Sequence, residues 1–99
     1  MKSYIKRLLD DMRNRPVVYF GCKSLDSLAT FLSGYMCRVH ETTSDSGEAL
    51  PGFQEFVQEK YGIQSSQHWS QIIRFFSATE ESAFDEFFKL LDEYYTDNT

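Results

Sequence analysis

The side chains best suited to chemistry in this chain are two cysteines, Cys22 and Cys37, and two histidines, His40 and His68. Cys37 and His40 stand three residues apart, a spacing that puts both on one face of a helix. Four soft or imidazole ligands are the minimum for a structural zinc site, and no C-x2-C pair is present to anchor one. A Cys37–His40 nucleophile would need a third group to orient the base and a donor for the developing oxyanion, and the spacing supplies neither. The adjacent carboxylates Asp10-Asp11, Glu80-Glu81 and Asp92-Glu93 would point about 100° apart on a helix, so they do not converge on one substrate. Neither glycine-rich phosphate loop, G-x-G-x-x-G or G-x-x-x-x-G-K-[ST], occurs. The expectation is therefore a protein without metal, cofactor or catalytic set, its thiols semi-buried and its histidines on the surface.

Charge is the stronger signal. Residues 1–38 carry seven basic and three acidic side chains, a net of +4, while residues 39–99 carry twelve acids and three bases, a net of −9. Together they give the formal charge of −5. An acidic protein repels a phosphate backbone, which disfavours direct nucleic-acid binding. A basic face built from Arg7, Arg13 and Arg15 is the one arrangement that would reverse this. The two halves can attract each other within the fold, leaving the remaining acids as a solvated face. The other reading is that the acidic part meets a basic partner and speeds its capture. On that reading Asp45, Glu48, Asp85, Glu86, Asp92, Glu93 and Tyr94 are the candidate contact residues. Tyr94-Tyr95 lies among acids, a composition favoured at binding hot spots, although both rings could instead seal the end of the last helix.

The elements that must position these groups are helical. Ile5, Leu8, Leu9 and Met12 recur at i, i+3, i+4, i+7, the period of one buried helix face. Pro16 stops that helix near Asn14–Arg15, because the residue before a proline is pushed out of the α region. Pro16 to Cys22 is β-branched and aromatic with no second strand to pair with, so it reads as a buried extended connector. Ser24 is a suitable N-cap for a long helix carrying Leu25, Leu28, Ala29, Phe31, Leu32, Tyr35, Met36 and Val39, a stripe wide enough for a central, mostly buried helix. Gly34 in its middle costs about 1 kcal/mol relative to alanine, which predicts a close helix crossing there.

The polar stretch from Glu41 to Gly52 reads as the one long loop. Phe53, Phe56, Val57 and Tyr61 predict a short helix ended by Gly62. Ser66 is placed to cap a mostly buried segment holding Trp69, Ile72, Ile73, Phe75 and Phe76. Ser77 to Glu80 has the capping-box pattern. The final helix carries Phe84, Phe87, Phe88, Leu91 and Tyr95 inward and Asp85, Glu86, Asp92 and Glu93 outward. The sum is an all-α single domain over residues 1–99, of about five helices, with one extended connector near residues 16–22.

Ninety-nine residues allow one modest core, burying roughly 60–68% of the unfolded surface. Sixteen per cent aromatic residues help so short a chain close it. No apolar run reaches the roughly 20 residues of a membrane span, and the N-terminus lacks a signal-peptide apolar stretch. Two cysteines are too few for a stapled secreted scaffold. A cytoplasmic location is expected.

Two segments carry a family resemblance. The first is Arg15-Pro16-x-x-Tyr19-x-Gly21-x-x-Ser24-x-x-x-Leu28-x-x-Phe31-x-x-Gly34-Tyr35. The second is Trp69-x-x-Ile72-Ile73-x-Phe75-Phe76, followed by Glu81-x-Ala83-Phe84-x-x-Phe87-Phe88-x-Leu90-Leu91. Together they resemble small bacterial immunity proteins of contact-dependent growth-inhibition and related polymorphic toxin systems. The resemblance implies a non-catalytic protein that binds and neutralises one cognate toxin domain, often a nuclease and therefore basic. It assigns no contact residue. The alternative from composition is a small helical adaptor that acts by homodimerisation through surplus aromatic residues.

Overall fold

A computed structural model of the chain describes residues 3–43 and 47–97. It is built from six helices: α1 (Ser3–Asn14), α2 (Pro16–Phe20), α3 (Leu25–Thr42), α4 (Phe53–Tyr61), α5 (Trp69–Phe75) and α6 (Glu80–Asp97). No strand occurs among the described residues, so the all-α single domain expected from the sequence is the fold observed. Its radius of gyration, 13.2 Å, is that of a compact chain of this length. No described helix is long and apolar enough to cross a membrane.

α1 forms as its period dictates, with Ile5, Leu9 and Met12 fully buried, and it ends one residue before the position preceding Pro16. The next segment departs from expectation. Pro16 to Phe20 is one helical turn, not an extended connector. Arg15 keeps the non-helical backbone that a following proline demands (φ −135°, ψ 55°). Pro16 then supplies a pre-set first helical φ. Gly21 closes the turn at φ +76°, donating its N–H to the Val17 carbonyl at 2.9 Å. With no neighbouring strand, the boundary residues outweigh the β preference of Val17 and Val18. Asp11 pins the turn to α1. It accepts two hydrogen bonds from the Arg15 guanidinium (2.9 and 2.6 Å) and one from the Tyr19 hydroxyl (2.5 Å). These donors hold the Asp11 carboxyl below its ordinary pKa, the Arg15 bond contributing most.

Ser24 caps α3 as expected, its Oγ accepting from the Ser27 N–H at 3.2 Å. α3 buries one face, Leu25, Leu28, Ala29, Leu32 and Met36, rather than most of its circumference. Gly34 lies on its exposed side, and a methyl group added there would meet nothing within 4 Å. The close crossing predicted at Gly34 is therefore absent. α4 starts after Pro51-Gly52 and ends at Gly62, whose left-handed φ of +67° lets its N–H turn back to the Glu59 carbonyl.

α5 is capped by His68, not Ser66, and starts at Trp69. Only Trp69, Ser70, Ile72 and Ile73 of it are buried, so Phe75 and Phe76 stand out of the core. The capping box of α6 is shifted two residues from the sequence reading. Thr79 and Ser82 cap each other: Thr79 Oγ1 accepts from the Ser82 N–H at 3.0 Å, and Ser82 Oγ accepts from the Thr79 N–H at 2.9 Å. The hydroxyl that can reach a backbone N–H three residues on is Thr79's, because Ser77 Oγ instead donates to the Ile73 carbonyl at 2.7 Å.

The centre of the core is a ring cluster around Phe53. Trp69, Phe87 and Tyr94 meet it edge to face at centroid distances of 5.1, 5.7 and 5.2 Å. Trp69 also stacks on Phe87 at 4.9 Å. These are the offset and T-shaped contacts that aromatic quadrupoles prefer, and they join α4, α5 and α6 in one unit.

Candidate functional site

α6 brings Asp85, Glu86, Asp92 and Glu93 together on its outer side, because residues seven apart return to the same side of a helix. Three of the four are occupied by bases of this chain. Asp85 receives Lys23 at 3.2 Å, Asp92 receives Arg13 at 3.0 Å and Glu93 receives Lys60 at 2.7 Å. Glu86 lies against Tyr61, whose pKa rises chiefly by burial and then by this neighbouring carboxylate. Lys23 and Arg13 belong to the basic N-terminal third, so part of the charge asymmetry closes on itself. Arg15 is held by Asp11 in the same way, so two of the three arginines Arg7, Arg13 and Arg15 are engaged within the chain.

Tyr94 corrects the sequence reading. Its ring is 2% exposed and its hydroxyl donates to the Pro51 carbonyl at 2.6 Å. It holds the α3–α4 loop to α6 and lies inside the core, not on the surface where a contact residue was expected. Burial raises its pKa, with Glu48 adding to the rise. Tyr95 is half-buried, and desolvation pushes its pKa up to about 12. Asp45 lies outside the described residues.

Glu48 has a different setting. It lies on the rim of a cleft of about 470 Å³ bounded by α3, residues 48–52 and the starts of α4 and α5. Leu32, Met36, Leu50 and Trp69 form the apolar floor, and Glu55 in the first turn of α4 supplies a second carboxylate. The sequence reading passed over Glu55. Its only signal was a place in the first turn of a helix that follows an acidic loop. No ion pair described for this chain includes Glu48 or Glu55.

His68 closes one end of the cleft. Its Nδ1 faces the Ser70 N–H (3.3 Å) and hydroxyl (2.7 Å), and its ring packs on Trp69 with centroids 4.7 Å apart. Partial burial lowers its pKa, which favours the neutral ring.

Cys22 and Cys37 are free and exposed, not semi-buried as expected. His40 Nε2 lies 3.1 Å from the Gly47 carbonyl. Among the described residues no group of three or more His, Cys, Asp or Glu side chains is placed to hold a metal ion.

Two apolar groups stand in solvent. Val17 and Val18 of α2 are 68% and 72% exposed, beside Phe31 at 39%. Phe75 and Phe76 at the end of α5 are 75% and 49% exposed, and Phe76 is stacked on Tyr61 at 4.7 Å. The sequence placed Phe31, Phe75 and Phe76 in the core, and their type gave no reason to place them elsewhere.

Compared with known proteins, the chain matches no family model, no curated protein and no solved structure.

Proposed function

We propose that this protein is a non-catalytic, cytoplasmic binding domain that holds a cognate bacterial toxin domain and blocks it, as the immunity resemblance implies. The observation that carries the reading is the negative surface left after the internal ion pairs are made, with Glu48 and Glu55 lining an apolar-floored cleft and in no ion pair among the described residues. A nuclease must attract phosphate, so its active-site surface is basic. An acidic partner is steered to it and competes with nucleic acid. A complex of ordinary size would bury about 1,600 Å² in total, room enough for the cleft and one of the exposed apolar groups.

The test is co-expression with the product of the gene immediately upstream, scoring growth with and without this protein and co-purification at low and raised salt. Restored growth and a salt-weakened complex are expected. No binding at any salt overturns the reading.

The exposure of Phe75 and Phe76 favours a second reading, a homodimer that buries them. Sedimentation velocity decides it: a species that stays monomeric at high concentration rules it out.

A further inference from the structure

We infer that the cleft bounded by α3, residues 48–52 and the starts of α4 and α5 receives one arginine side chain from the partner protein; this rests on the protein-binding reading above. Among the buried apolar side chains, all but five are 2% exposed or less. Those five, Ala29, Leu32, Met36, Leu50 and Trp69, are 5–8% exposed, and every one lines this cleft. Within this buried set the core is therefore least covered here. An opening of about 470 Å³ over its apolar side chains has the size and character of a recognition pocket.

The chemistry of the rim selects the occupant. No lysine or arginine lines the cleft, and Glu48 and Glu55 do. Partial desolvation disfavours the charged form of His68 at the same cleft. An anionic ligand would be repelled. A purely apolar side chain would strip water from two carboxylates and return no partner to them. A cationic side chain with an apolar stem satisfies both parts, its methylenes on the floor and its head at the carboxylates. Arginine fits better than lysine. Its guanidinium is more weakly hydrated, and its planar fork can be shared between two acceptors. Continuity of charge supports a protein source. The only charged carboxylates lining the cleft, Glu48 and Glu55, come from the acidic part of the chain, 39–99, that would steer a basic partner.

Trp69 is the only tryptophan in the chain and lies in the cleft, so its indole N–H is a local reporter. The experiment is a ¹H–¹⁵N titration of the full chain with N-acetyl-arginine amide, with N-acetyl-citrulline amide as the uncharged isostere. The double variant Glu48→Gln/Glu55→Gln is titrated alongside. Both positions are exposed, so this variant keeps the fold, which its melting curve verifies. The expected result is a saturable shift of the Trp69 indole and the Glu55 amide with arginine, at least about fivefold weaker with citrulline and in the double variant. Equal responses to arginine and citrulline, no saturable shift, or an unchanged double variant would overturn the inference. A second arm measures the upstream toxin against both forms. If it binds wild type and double variant equally, the cleft assignment falls and the immunity reading stands. If it binds neither, the immunity reading falls, and the cleft is judged on the titration alone.

Discussion

The outer side of α6 and the cleft beside α3 both carry carboxylates, yet they differ in what those carboxylates touch. On α6, Asp85, Asp92 and Glu93 each meet a lysine or arginine from a distant part of the chain, and the hydrophobic surface beneath them is closed. At the cleft, Glu48 and Glu55 meet no base among the described residues, and the five least covered of the buried apolar side chains line it. The lesson is that a count of negative charge does not locate a binding face. Charges already paired within the fold are satisfied, whereas unpaired charges above an open apolar floor are available.

The largest expected effect sharpens the sealed side of this contrast. Phe53 is fully buried at the centre of the ring cluster, so Phe53→Ala should cost about 3–5 kcal/mol in chemical denaturation. A loss below about 1 kcal/mol would mean that the cluster is not the structural centre.

Next in size is Gly34→Ala. The position is exposed, helical and free of neighbours, so alanine should stabilise the protein by about 1 kcal/mol. Destabilisation would reinstate the close approach predicted from sequence.

A similar magnitude is expected at His68, through pH. Its folded pKa lies below the ordinary histidine value of about 6.5. The unfolded chain therefore takes up the proton first, and the contribution of the neutral ring is complete above that value. It is lost as pH falls through about 6.5 toward the folded pKa. Part of this loss is that of the Nδ1 acceptor that caps α5, since the proton occupies the same nitrogen. In His68→Asn, which keeps an N-cap acceptor but cannot titrate, the fall in stability over this window should be smaller. An identical fall in both proteins would show that another group is responsible.

The smallest effect lies on α6. Its ion pairs are solvent-exposed, so Asp85→Asn and Glu93→Gln should each change stability by no more than about 1 kcal/mol. A larger loss would make these pairs central to the fold rather than peripheral.

The helical class was readable from the 3.6-residue period of α1 and α6 and from the punctuation at Pro16, Ser24 and Gly62. Less readable was the balance between local signals of similar strength. At Pro16–Phe20 the β-branched pair argued for an extended chain, while proline and glycine at the ends fixed a helical turn. At α5 the sequence offers Ser66 and the fold uses His68, and at α6 it offers Ser77 and the fold uses Thr79, because the choice depends on which acceptor reaches a free N–H. The contact residues were the least legible. Tyr94 and Phe75 are both aromatic beside polar neighbours, and only packing puts the first inside and the second outside. Glu55 became a candidate only when the fold placed it with Glu48 and Trp69 in the lining of one cleft.

The most direct test of the central contrast is the affinity of the proposed partner, the product of the gene immediately upstream, for three forms of this protein: wild type, Glu48→Gln/Glu55→Gln and Asp85→Asn/Asp92→Asn. The account expects the cleft variant to lose at least about fivefold in affinity and the α6 variant to lose less. If the α6 variant loses as much or more, or if neither variant loses affinity, the cleft is not the binding face.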